Sequence, residues 1–290
     1  MKTSEPAGSD VARGAEGPCI HPTAIVGPEA ELDSAVEVGP YAVIQGRVRL
    51  GPNCRVGPYV HLTGCVLAGA GNVFHTGAVI GDAPQDLKYK GQPTRVVIGD
   101  SNCFREHVTV HRSNREEEDT VIGDHNFLMA HSHVGHNARV GHHVILANGA
   151  LLGGHTVIQD RAFISGNCLV HQFARVGTLA IMQGGAAISQ DLPPFCIARG
   201  HNHIGGLNVI GLRRAGFSAA QRSQLRLLYQ ELFRSGRNLR AAVEDARHRY
   251  SGEPASILLD FVAQARRGIC RHKGSRWDPQ ERLAGDAPAE

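Results

Sequence analysis

The sequence predicts a mainly β protein: a parallel β-helix followed by a small α-helical segment. Three observations carry this prediction. Apolar residues recur every six positions from Ile20 to Ile188; of the 29 positions in that phase, 26 are apolar, and only Asp86, Gln92 and Glu116 break it. The residue four places later is usually small, as at Ala24, Ala42, Ala138, Ala150, Ala162 and Ala174. Glycine is abundant, 35 of 290 residues, while aromatic residues are 5%, a composition suited to tight corners and a narrow interior. A period of six fits neither a helix nor an alternating strand. It fits a coil whose three flat sides each use one hexad, so that 18 residues complete a turn and residue i lies beneath residue i+18. In this reading the aliphatic residue points inward, the small one fits beside it, and Gly or Asn takes the unusual backbone angles of each corner.

Residues 1–18 are polar and Pro/Gly-bearing and read as a loose tail. The β-helix occupies 19–193. Its three misfits mark two loops that leave the coil, at 82–97 and 112–121, where an insertion does not disturb the core. From Pro193 the period fails, and 194–271 reads as a helical domain. Ser218 and Gln221 form a capping box, Leu225, Leu228, Tyr229 and Leu232 share one helical face, and Gly236 stops the helix. Two further helices are expected near 238–250 and 254–267, and 272–290 is a second polar tail. A formal charge of +3 gives no footprint for nucleic acid. No run of 18 apolar residues exists to span a membrane, and the first 18 residues lack a signal-peptide core. The seven cysteines, without a CxxC pair, read as free thiols in a reducing, cytoplasmic compartment, with Cys54 and Cys168 in the small-residue slot. No phosphate-binding GxGxxG or GxxxxGK[ST] loop is present.

The 18-residue rule also gathers polar side chains. His136 lies beneath Gly154 and then Gln172; Asn137 lies beneath His155 and then Phe173; Gly135 lies beneath Gly153 and then His171. His133 is one short corner away on the coil of His136. An imidazole able to take a proton, beside a backbone amide with no side chain over it, is a minimal acyl-transfer site. The chemical rival is zinc held by His131, His133 and His136, although the coil directs His131 and His133 together and leaves His136 past a corner. His125, His142, His143 and His201 read as solvent-facing corner residues.

Several segments add a resemblance: Gln85-Asp86-Leu87-Lys88-Tyr89, Gly91-Gln92-Pro93-Thr94-Arg95, Arg105-Glu106, Val110-His111-Arg112, His133-Val134-Gly135-His136, Gly154-His155, His171-Gln172-Phe173, Asp191-Leu192-Pro193-Pro194 and Gly211-Leu212-Arg213-Arg214. Together, over about residues 20–271, they resemble the UDP-N-acetylglucosamine O-acyltransferases of lipid A biosynthesis. The resemblance implies a left-handed β-helix and a homotrimer with sites between subunits. It implies transfer of a 3-hydroxyacyl chain from acyl carrier protein to the 3-position of the UDP-sugar, without cofactor or metal. By matching position it makes His136 the general base and Gly154 the oxyanion donor. Asp86, Lys88, His133, His155, Gln172, Asn208 and Arg214 match substrate-contacting positions, and Gly184 the position that limits acyl-chain length. Asn137, which orients the base, stands where the best-known pattern has Asp. Ile210 replaces an acidic residue, and Ala215 replaces a second Arg after Arg214. The alternatives are a related sugar N-acyltransferase acting on a 3-amino UDP-sugar, a zinc-dependent hydratase on the same solenoid, and a purely structural solenoid; the Gln85–Tyr89 loop argues against the last two.

Overall fold

The computed structural model describes residues 17–272, so both polar tails, apart from their innermost residues, lie outside the described residues. From Cys19 to Ile188 the chain is a left-handed parallel β-helix of two- to four-residue strands in three sheets. The first sheet starts at Cys19–Ile20, the second at Ile25–Val26 and the third at Glu31–Leu32. Ordinary coils pair residue i with i+18, as His133 with Leu151 and Leu151 with Leu169. The apolar hexad residues from Val38 to Ile188 are all buried in one core. At the first described coil Ile20 is 43% exposed, because among the described residues none lies beneath it.

The two loops leave this register without breaking its phase. Val79 pairs with Thr109, an offset of 30, and Thr109 pairs with His133, an offset of 24. The first insertion therefore adds twelve residues and the second six, both whole multiples of the repeat. Each occupies the corner between the second and third sheets, on consecutive coils. Phe74 and Phe104 stack at 4.9 Å inside these coils. In the small-residue slot of the same region Asn72, Asn102 and Asn126 form a buried ladder: the Asn102 amide groups donate to Asn72 Oδ1, and the Asn126 backbone N–H donates to Asn102 Oδ1.

The corners depart from expectation. The residue three places after the apolar one takes a positive φ, and it is often not Gly or Asn: Tyr41, Tyr59, His107, His131, His143, His155, Arg161, Phe173 and Leu179 all do so, with φ between 55° and 65°. A left-handed conformation costs about 1–2 kcal/mol for such residues. Stacking on the neighbouring coil offsets it. The N–H groups of Tyr59, His107, His131, His155 and Phe173 each donate to a carbonyl of the coil before, and Tyr41–Tyr59, His107–His131, His125–His143 and His155–Phe173 stack as rings 4.6–5.2 Å apart. Gly directly after the apolar residue answers a different need. A Cβ on Gly57 would lie 2.8 Å from the Phe74 carbonyl oxygen.

Beyond Pro193 the segment 194–271 is not helical throughout. Cys196–Arg199 extends the first sheet by pairing with Ile181–Met182, His203–Leu207 pairs with it in antiparallel fashion, and Arg271–His272 returns to the same sheet. Between them lie α1 (Val209–Arg214), α2 (Ala219–Phe233), α3 (Leu239–Arg249) and α4 (Glu253–Ala263). The Ser218–Gln221 capping box opens α2, and Leu225, Leu228, Tyr229 and Leu232 are its buried face. Arg175 ties the helices to the coil: it pairs with Asp191 at 2.7 Å, donates to the Phe261 carbonyl and stacks on the Phe261 ring. Cys54, Cys168, Cys196 and Cys270 are buried free thiols; Cys19 is exposed, and Cys65 and Cys103 are half-buried.

Because backbone opposes a new Cβ at position 57, Gly57→Ala is expected to destabilise the fold by about 1–3 kcal/mol, the usual range for overpacking. Urea denaturation measures this as a lower midpoint; an unchanged midpoint would show that the coil spacing yields.

Candidate active site

His136 follows the strand His133–Val134 at the corner between the second and third sheets, the corner from which both insertions project one and two coils earlier. As the 18-residue rule requires, Gly154 stands over it. A Cβ on Gly154 would lie 2.5 Å from His136 Cε1 and 2.6 Å from Nε2, so only glycine leaves room for the ring in this position. Among the described residues the Gly154 N–H makes no hydrogen bond, while its carbonyl accepts from Phe173 N–H. His155 meets the His136 ring edge-on at 5.2 Å and stacks on Phe173. Gln172 is exposed one coil further on, beside His171.

The tautomer of His136 follows from Asn137. His136 Nδ1 lies 2.8 Å from Asn137 Oδ1, which also accepts from the Asn114 backbone N–H at 3.1 Å. Asn137 Nδ2 donates to Ser113 Oγ at 2.7 Å and to Glu118 Oε2 at 2.9 Å. A flipped amide would set oxygen against a carboxylate and NH₂ against a backbone N–H, so its neighbours fix its sense. Asn137 Oδ1 is then an acceptor and Nδ1 of His136 its donor, so in the neutral ring Nε2 holds the free lone pair beside Gly154. Ser113, Asn114 and Glu118 all come from the second insertion. Periodicity does not single these three out: the run Glu116-Glu117-Glu118 marks a charged loop, but nothing in it says which glutamate turns inward.

The first insertion is tied to the second. Asn114 Nδ2 donates to Asp86 Oδ2 at 2.6 Å, and the Lys88 backbone N–H donates to Asp86 Oδ1. These two bonds hold the Asp86 carboxyl below the usual carboxylate range. Arg112 donates to the Tyr89 hydroxyl and packs over its ring. The Lys88 side chain is left exposed on a braced loop.

His133 lies on the outer face of the second sheet, with Nδ1 2.7 Å from Thr109 Oγ1 and His111 against its edge. Burial, then the neighbouring His111 and His136, push its pKa down to about 4. Burial lowers His111 and His155 in the same direction. The three zinc-rival histidines do not converge, and the pairing expected of His131 with His133 is not found. His131 turns onto a left-handed corner and stacks on His107, His133 stays on the sheet face, and His136 occupies the next corner.

Three residues lie elsewhere in the protomer. Gly184 is exposed at the corner between the first and second sheets; the positive φ there belongs to Gly185. Asn208 is buried beside Leu179, donating to its carbonyl and capping α1 through Gly211 N–H. Arg214 ends α1 and is exposed.

A family model described as UDP N-acetylglucosamine O-acyltransferase, domain 2, matches residues 191–270, and one described as bacterial transferase hexapeptide (six repeats) matches 119–154. The chain is similar to the acyl-[acyl-carrier-protein]–UDP-N-acetylglucosamine O-acyltransferase of Paraburkholderia xenovorans, 44% identical over 259 residues that span 87% of this chain and 99% of the relative. The protein of the same name from Halorhodospira halophila is 42% identical over 255 residues, with the same two coverages. Among solved structures, the Francisella novicida UDP-N-acetylglucosamine acyltransferase overlays with a TM-score of 0.84 at 32% identity, covering 93% of this chain and 100% of that one.

His133 takes up its proton near pH 4 in the fold but near 6.5 in the unfolded chain. As pH falls through 6.5 the unfolded state binds the proton first, so stability is lost from about pH 6.5 down to about 4. His133→Gln is expected to flatten that decline. Denaturation midpoints at pH 7 and 4.5 measure it, and equal declines in parent and variant would refute it.

Proposed function

The chain belongs to the UDP-N-acetylglucosamine O-acyltransferase family, and from that premise we propose that it performs the first acylation of lipid A synthesis, moving a 3-hydroxyacyl chain from acyl carrier protein to the 3-oxygen of UDP-N-acetylglucosamine. The observation that carries the proposal is the His136 ring, held through Nδ1 by Asn137, with Nε2 facing the bare Gly154 corner. In this mechanism Nε2 takes the proton of the sugar 3-hydroxyl as its oxygen attacks the thioester carbonyl. The carbonyl oxygen becomes an oxyanion, and the Gly154 N–H holds it. Collapse breaks the C–S bond, and the imidazolium returns the proton to the departing thiolate of the carrier. The step needs neither metal nor nucleotide cofactor. The N-acyltransferase alternative is not favoured, since the relatives are named O-acyltransferases.

Asp86, Lys88, His133, His155 and Gln172 line or flank the same corner, and we assign them to binding the UDP-sugar, with Lys88 offering its cation to the diphosphate. We assign Gly184 to the end of the acyl chain and Arg214 to substrate binding. They lie on other parts of the protomer, which fits a homotrimer in which a neighbouring copy completes each site. Asn208 is the weakest of these assignments, because α1 and Leu179 already use its amide. Among the described residues no helix is long and apolar enough to cross a membrane, and both proposed substrates belong to the cytoplasm.

His136→Ala is expected to lower transfer by about 10²–10⁴-fold, the range for general-base loss, with the fold intact because the ring lies outside the aliphatic core. Near-normal turnover by a folded variant would sink the mechanism. A second expectation concerns chain length. A Cβ at 184 would meet only the Gly166 carbonyl oxygen, at 3.7 Å, so a larger side chain can be accommodated there. Gly184→Met should shift preference to shorter donors, each excluded methylene being worth about 0.8 kcal/mol. A panel of acyl carrier protein thioesters reads this directly, and an unchanged ranking would mean the chain ends elsewhere.

A further inference from the structure

We propose that Glu118, from the second insertion, is a positioning residue that supplies the base with its carboxylate through the Asn137 amide, forming a His136–Asn137–Glu118 relay. The inference rests on the reading of His136 as general base. Asn137 is buried and carries no charge, yet its NH₂ group is spent on Glu118 Oε2 at 2.9 Å and Ser113 Oγ at 2.7 Å. The same amide turns its oxygen to His136 Nδ1. Two consequences follow from that geometry. The acceptor-only carboxylate locks the amide in the sense that keeps the proton on Nδ1 and the lone pair on Nε2. Its negative charge, one amide removed, favours the imidazolium that forms when Nε2 takes the substrate proton. A carboxylate placed directly at position 137 would do both jobs alone; here the two are divided between adjoining elements of the fold. Glu118 is itself held by Arg115 at 3.1 Å and lies 3.6 Å from His155 Nδ1. The other titratable groups facing His136 are Asp86, His111, His133 and His155, and every variant below leaves them unchanged.

The test moves the charge. Glu118→Gln keeps a hydrogen-bonding oxygen for Asn137 but removes the charge. It is expected to lower kcat about tenfold, the effect of one charge at this range in a partly screened site, and to move the acidic limb of kcat/KM to lower pH. Asn137→Asp alone sets two carboxylates in contact and should be at least as impaired. The double variant E118Q/N137D restores one carboxylate beside the base, and it should recover most of the lost activity and return the limb toward its original position. Wild-type kcat and an unmoved limb in E118Q, or a double variant no better than E118Q, would overturn the relay. Failure of the base assignment looks different: His136→Ala would then stay active in the same assay. Independently of turnover, NMR titration of the His136 ring in the full chain should show its midpoint falling in E118Q and recovering in the double variant. An unmoved midpoint refutes the charge role even in a preparation that transfers nothing.

Discussion

Everything in this molecule depends on coils stacking in register, with each hexad contributing one inward aliphatic residue. The constraint is strict because a shift of one residue would turn the whole inward column outward. Insertions of twelve and six residues satisfy it, since each returns the chain to the same phase: Ile80 and Ile98, and then Val110 and Ile122, are all buried core residues. The core therefore does not register that the chain has left and come back. Both insertions leave at one corner, on the two coils directly before His136. A repeat that is otherwise uniform thereby acquires a chemically distinct edge, and the proposed site lies there.

At that edge the decisive property is acceptor chemistry rather than net charge. Asn137 is the hinge of the arrangement: backbone N–H of Asn114 on one side and the Glu118 carboxylate on the other leave its amide one orientation. That orientation selects the His136 tautomer through a neutral amide. The surrounding histidines contribute by staying neutral. Burial lowers His111, His133 and His155, so near neutral pH the proposed base is not surrounded by imidazolium cations.

The sequence makes the coil, the buried column and the stack His136–Gly154–Gln172 legible, because period and offset are arithmetic properties of a solenoid. It also shows where the insertions lie, through Asp86, Gln92 and Glu116. It does not show what fills the corners. His131, Phe173 and Leu179 accept a left-handed backbone because a ring or carbonyl of the adjacent coil rewards them, and that reward depends on partners 18 to 25 residues away. The same limit explains Glu118: loop residues have no period, so their direction is set by contacts such as Arg115–Glu118 and Asn114–Asp86 that only the folded corner creates. The antiparallel return of His203–Leu207 is hidden for a related reason, since the segment Cys196–Leu207 no longer carries the hexad.

A triangular solenoid keeps its three edges apart by construction. His136 stands on one edge, Gly184 on another, and Asn208 beside Leu179 on the third, with Arg214 at the far end of the helix that Asn208 caps. Bending the prism to join them would break the parallel ladders that make the core. The proposed base and oxyanion donor therefore share one edge, apart from Gly184, Asn208 and Arg214. In the proposed homotrimer, an edge of one copy packed against a face of the next would supply a second wall without straining either core. The rigidity that fixes His136 to Gly154 is the same rigidity that keeps the three edges of the coil apart.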